Sequence, residues 1–116
     1  LSKSELQLTD TELDSAFYVE QSSIQSLVSD NLNALSHAQL LRGEDSFGTL
    51  LGDREFPAVP SSQDLFPADN EAYFSGGYNT GRHGSEDGGF IDAIQIECNQ
   101  DIRFDTAICK RYTVAV

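Results

Sequence analysis

The chain has no methionine and no tryptophan, two cysteines, three prolines, and seven Lys and Arg against nineteen Asp and Glu. The resulting net charge of −12 repels phosphate backbones, which argues against DNA or RNA as a partner. No apolar run approaches the ~20 residues that a membrane-spanning helix requires, so the expectation is a soluble chain without a membrane partner. Hydrophobic residues make up 39% of the 116 positions, leaner than the roughly 45–50% of a typical domain, whose reference set counts glycine and omits tyrosine. That puts burial of a full independent core in question. The length suits one small domain, or half of a larger one, and excludes two.

Two cysteines do not decide between a secreted mature piece and a cytosolic domain with two thiols. The chain opens on Leu1 rather than Met, and residues 1–8 carry no basic stretch leading into an apolar one. The expectation is that something upstream was removed. A signal peptide, a propeptide and a preceding half-protein all remain open.

The first part, residues 1–56, reads as short polar helices. Thr9 stands three residues before Glu12, the spacing of a capping box, and predicts a helix over residues 11–19 with Leu13 and Phe17 on one face. Ser22 and Ser23 are expected to cap a second helix, with Ile24, Leu27 and Val28 at the same spacing. Ser36 opens a turn that runs through Leu41 and stops at Gly43, and Ser46 caps a helix running to Arg54 before Pro57. Apolar stripes this thin are marginal as isolated helices and call for something to pack against.

Pro57, Pro60 and Pro67 mark residues 57–72 as an irregular linker. The final part, residues 73–116, holds a glycine-rich segment, then Phe90-Ile91-Asp92-Ala93-Ile94-Gln95-Ile96-Glu97, whose β-branched run predicts a strand of a covered sheet. A closing helix is expected over residues 104–114, with Phe104, Ile108 and Tyr112 on one face and Lys110 and Arg111 near its end.

Chemistry concentrates in the glycine-rich segment. Tyr73-Phe74-Ser75-Gly76-Gly77-Tyr78-Asn79-Thr80-Gly81-Arg82-His83-Gly84-Ser85 sets four glycines around an Arg-His pair. Glycine lets a backbone approach a ligand, Arg82 offers a fork for a carboxylate, and His83 titrates near neutrality. A plain glycine hairpin with an exposed Arg and His fits the same residues. Glu97, at the end of the apolar run, is placed either as a general base in a cleft or as a strand-end charge facing water.

The order Gly76-Gly77-Tyr78-Asn79-Thr80, Arg82-His83-Gly84, then Ile94-Gln95-Ile96-Glu97 resembles the C-terminal part of the N-formylglutamate amidohydrolase family. That family shows a Gly-Gly-Tyr-x-Thr loop, a nearby His-Gly or Tyr-Gly, and a Gln-(Leu/Ile)-Glu strand. Leu41-Arg42-Gly43, Ser46-Phe47-Gly48 and Val59-Pro60-Ser61 resemble a divergent extracellular branch, so the likeness spans residues 22–111 and implies a secreted or extracellular location.

The resemblance implies an α/β fold: the C-terminal half of a zinc-exopeptidase-like three-layer α/β/α architecture, with short N-terminal helices, a central strand and a C-terminal helix. It implies zinc-dependent hydrolysis of an amide in an N-acylated amino acid or peptide end. Glu97 would be the general base, His83 an assisting group, and Arg82 with Gly76, Gly77, Tyr78, Asn79 and Thr80 would hold the carboxylate of a small substrate.

The zinc ligands of that family lie in its N-terminal half, and the one other histidine here, His37, has no ligand spacing around it. The implied arrangement is a single partial domain completed by the N-terminal chain of the same precursor, which supplies the zinc ligands. Cys98 and Cys109 are open to three outcomes: a disulfide with each other, a link to that partner, or two buried free thiols. Neither has the context of a catalytic thiol. Whether the chain is an enzyme stays open, the alternative being a non-catalytic secreted acidic protein with a structural or ligand-binding role. Glu86-Asp87-Gly88-Gly89 lacks the spacing of a calcium loop and reads as a solvated acidic turn.

Overall fold

Short polar side chains start most of the helices, because the first backbone N–H groups of a helix have no partner within it. The computed structural model describes residues 1–31 and 34–116, the side chain of Asp87 apart. In chain order the helices are α1 (Asp10–Leu13), α2 (Ala16–Glu20), α3 (Gln25–Asp30), α4 (His37–Arg42), α5 (Phe47–Gly52), α6 (Tyr78–His83), α7 (Gln100–Phe104) and α8 (Thr106–Ala115). Single 3-10 turns occur at Glu5–Gln7 and Glu86–Gly88.

Thr9 and Glu12 form the expected reciprocal box at α1, and Ser36 and Gln39 form a second at α4. Ser46 caps α5. The helix expected over residues 11–19 is broken in two, since Ser15 is extended and Asp14 turns its carboxylate to the N–H of Ala38 at 2.7 Å. The closing helix is likewise divided: Asp105 leaves helical geometry and caps α8 by accepting from Ala107 and Ile108. At the end of α5, Glu55 takes the left-handed conformation (φ 70°), and the chain turns away before Pro57 as Phe56 donates back to the Leu51 carbonyl at 3.0 Å.

Among the described residues there is no strand and no sheet, so the expected α/β fold is corrected to an all-helical one. The three-layer architecture and its central strand are absent with it. The physical reason lies in residues 90–97. A β-branched run favours extended backbone, but a strand exists only as one side of a ladder, and this run meets no second strand. It ties itself instead to a helical start: Ala93 N–H donates to the Ser23 carbonyl at 3.0 Å, and the Ser23 hydroxyl donates to the Ala93 carbonyl at 2.7 Å.

The same clip replaces the local cap expected at Ser22 and Ser23. The N–H groups of Ser26 and Leu27, in the first turn of α3, are taken by the Ser85 hydroxyl at 2.9 Å and the Asp92 carboxylate at 3.1 Å. Ser85, fully buried, donates in turn to Asp92 at 2.6 Å.

The buried apolar side chains are Leu6, Leu13, Ile24, Val28, Ala38, Leu51 and Phe56, so the core lies in the first half of the chain. Buried polar groups bind α4 to that core. Arg42, 6% exposed, donates to the carbonyls of Leu6 (2.7 Å) and Leu8 (2.8 Å) and to Asp10 Oδ1 (2.6 Å). His37 donates from Nδ1 to the Leu13 carbonyl at 2.8 Å, and its Nε2 faces the Ser22 hydroxyl at 3.2 Å.

The proline-rich stretch packs on α5. A Cβ on Gly48 would stand 2.0 Å from the Pro60 carbonyl oxygen, so only glycine allows this approach. Ser62 N–H then reaches the Thr49 hydroxyl at 2.8 Å. Helix α8 docks through Tyr112, edge-on to Phe56 at 5.2 Å, and through Arg111, which bonds Glu55. Among the described residues, no helix is long and apolar enough to cross a membrane.

Two stability predictions follow from the α4 contacts. Arg42→Lys keeps the charge but cannot fork to two carbonyls and a carboxylate, and each buried acceptor left bare costs about 1–3 kcal/mol. Asp10→Asn keeps a side-chain oxygen that accepts from Arg42 and leaves the two carbonyl contacts in place, so it is expected to cost less than Arg42→Lys although it removes the charge opposite a buried guanidinium. Urea denaturation of the two variants measures the contrast. Burial lowers the pKa of His37 below its usual 6.5, so the stability that its neutral form supports is present above pH 6.5 and is lost as pH falls through the lowered value. Melting temperature should drop between neutral and mildly acidic pH, with a shallower drop in His37→Gln.

Candidate functional site

The glycine-rich segment is less open than its composition implies, because its second half winds into α6. Thr80 fixes the start: its hydroxyl accepts from the N–H of Gly77 at 3.2 Å and donates to the Gly77 carbonyl at 2.9 Å. Arg82 and His83 occupy the last turn, exposed, where positive charge suits the helix end.

Facing this turn is the irregular run after Ala93. Gln95 donates from Nε2 to Glu97 Oε1 at 2.6 Å, so one carboxylate oxygen is held and the other is left to other partners. The two segments touch. A Cβ on Gly77 would lie 2.7 Å from Gln95 Oε1, which makes the bare glycine backbone the surface on which Gln95 rests.

Both segments open onto one cleft of about 830 Å³ between the helical core and the C-terminal residues. Its lining includes Gly76, Gly77, Thr80, Gln95 and Glu97, together with the apolar side chains of Leu40, Leu41, Phe47, Leu51 and Phe56. The charged side chains in its wall are Glu71, Glu86 and Glu97, with no Lys, Arg or His among the described residues that line it. Tyr73 is half-buried in the same wall, and burial followed by the charge of Glu5 raises the pKa of its hydroxyl, which stays protonated at neutral pH.

The structure therefore brings Glu97 together with Gly76, Gly77 and Thr80. It leaves Arg82, His83, Tyr78 and Asn79 outside the cleft, exposed to water. Gln95 is recognised from the sequence only within the Gln-Ile-Glu motif, with no role of its own, although its place two residues before Glu97 was the available signal. The acidic turn at residues 86–89 begins as the 3-10 turn Glu86–Gly88, and the Asp87 side chain lies outside the described residues.

Zinc does not fit this chain's own side chains. Among the described residues, no three His, Cys, Asp or Glu gather closely enough to hold a metal ion, and both ring nitrogens of His37 are engaged inside the core. Cys98 and Cys109 are free thiols, not joined to each other. Cys98 is half-buried in the cleft wall, while Cys109 is exposed. The pKa of the Tyr112 hydroxyl is pushed up to about 12, by burial first and then by the neighbouring Cys98 thiol.

No family model, curated protein or solved structure matches this chain. The likeness to N-formylglutamate amidohydrolases rests on the residues quoted above.

Gly77→Ala tests the coupling between the two segments. The added methyl meets the end of a flexible side chain, so Gln95 swings away at little cost and releases Glu97. Stability should change by less than about 1 kcal/mol, as for surface changes generally. The side-chain NH₂ resonances of Gln95 should shift toward those of a free amide.

Proposed function

We propose that the chain forms one side of an amide-hydrolysing site for an N-acylated amino acid or a peptide end, completed by a second chain. The observation that carries the reading is the convergence of Gly76, Gly77 and Thr80 with Glu97 on a single cleft, with Gln95 in contact with Gly77 and Glu97. The likeness to N-formylglutamate amidohydrolases supplies the reaction class. Its extracellular branch supplies the location, outside the cell.

In this reading Glu97 accepts the proton of the water that attacks the amide carbonyl. Gln95 holds one oxygen of that carboxylate and so aims the other. The backbone at Gly76, without a side chain to shield it, receives the substrate carboxylate, since the N–H of Gly77 is already given to the Thr80 hydroxyl. Arg82 and His83, exposed at the end of α6, are given no part. Zinc belongs to the completing chain, the N-terminal piece of the same precursor, since the residues here do not fit it.

The test uses natively purified protein with any chain that accompanies it, supplied with zinc and assayed on N-formylglutamate and N-acetylglutamate. Glu97→Gln is expected to lower turnover by about 10²–10⁴-fold, the usual contribution of a general base, with zinc content and helical circular dichroism unchanged. Turnover retained in that variant removes Glu97 from the role. Binding without turnover in the native protein returns the non-catalytic ligand-binding alternative.

A further inference from the structure

Helices α7 and α8 are joined to the rest of the protein by few contacts. Among the described residues, every hydrogen bond made by residues 98–116 stays within that segment except the one from Arg111 to Glu55. That ion pair is 57% exposed on one side and 80% on the other, a setting in which water screens most of the attraction. The remaining tether is aromatic. Tyr112 meets Phe56 edge-on at 5.2 Å, and the Arg111 guanidinium lies over the same ring at 5.6 Å. Phe104 and Val114 point to solvent, so their apolar surface adds nothing to the hold. The stretch leading into the two helices is also loose. Ala93 is clipped to Ser23 at both its N–H and its carbonyl, but no backbone group of residues 94–97 has a hydrogen-bond partner among the described residues.

The position of this helical pair gives its loose attachment a consequence. Cys98, Asn99, Ile102 and Tyr112 form part of the cleft wall, and Phe56 belongs to the same wall. Residues 98–116 carry Arg103, Lys110 and Arg111 against Asp101 and Asp105, while every other Asp and Glu lies on residues 1–97. A slightly positive pair of helices thus faces a strongly acidic body, and the attraction draws the two together over about 10 Å at 0.1 M salt. We infer that residues 98–116 are a hinged wall of the cleft, pivoting on residues 94–97 and latched where Arg111 and Tyr112 meet Glu55 and Phe56. Release of the latch widens the cleft and uncovers Phe56 while α7 and α8 stay packed on each other. Movements of this kind govern entry and release at enclosed sites. The inference stands on how the helices are attached, and it holds whether or not Glu97 takes a proton.

Double electron–electron resonance measures the movement, with spin labels on Thr11→Cys in α1 and on the exposed native Cys109 in α8, in a Cys98→Ser background. At low salt one short distance should dominate. At about 1 M salt, where the Debye length is about 3 Å, a longer distance should gain population. Arg111→Gln should raise the longer population about two- to fivefold, the worth of an exposed ion pair, and the charge swap Arg111→Glu with Glu55→Arg should reverse that rise. Tyr112→Ala, which takes the aromatic edge off Phe56, should raise it about tenfold. Helical circular dichroism should stay unchanged in the Arg111 variants, which alter only exposed side chains and so cover the case of a Tyr112 variant that fails to fold. A single distance indifferent to salt and to these variants overturns the inference, as does a rise that the charge swap leaves in place. A spread of distances with loss of helical signal overturns it too, because α7 and α8 then unfold locally instead of moving as a unit. Turnover enters no step, so a fixed wall leaves the Glu97 assignment standing and an inactive Glu97 leaves the hinge standing.

Discussion

The guanidinium of Arg42 is the constraint on which the helical half depends. It is buried, yet it meets two carbonyls and one carboxylate, all from residues 6–10. Those carbonyls belong to a 3-10 turn and to the residue that follows it. A planar fork with five donors can satisfy three acceptors at once and remain desolvated, because every acceptor is aligned with a donor. Leu6 and Leu13 are closed into the core on either side of this contact. Neighbouring His37 and the N–H of Ala38 repeat the arrangement by reaching Leu13 and Asp14. Helix α4 thus works as a polar hub within a small apolar core, which suits a chain with a lean hydrophobic share.

The C-terminal half is attached differently. Its apolar side chains are mostly outside, Phe90 being 94% exposed, and its connection to the core runs through hydrogen bonds at Ser23, Ser85 and Asp92 and through the packing of Tyr112 on Phe56. The cleft is the space between these two attachments. Its position explains how residues from opposite ends of the sequence line one cavity, and why its walls hold both apolar side chains and carboxylates.

Local chemistry was legible in the sequence wherever it is carried by neighbours in the chain. Thr9 with Glu12, Ser36 with Gln39, and Ser46 mark helix starts because a cap needs only a hydroxyl and a nearby N–H. Residues 90–97 show the limit of such reading. Their composition describes a preference for extended backbone, while sheet formation is a property of pairs, and the partner that Ala93 finds is a serine at a helix start. The candidate site divides in the same way. Gly77 and Glu97 stand out as residue types with chemical uses, whereas Gln95 acquires its place from two contacts, one of them with a residue 18 positions earlier, that spacing alone does not reveal. The exposure of Arg82 and His83 depends on α6 turning them to the outside.

The first turn of α3 is capped by side chains that follow it by 59 and 65 positions in the chain. During synthesis, residues 25–30 leave the ribosome long before Ser85 and Asp92 exist, so this helix begins with two of its N–H groups held by water alone. Its completion waits for the closure of a long loop, one of the slower events in folding. The helix is therefore among the last local structures to settle, even though it lies in the first third of the chain.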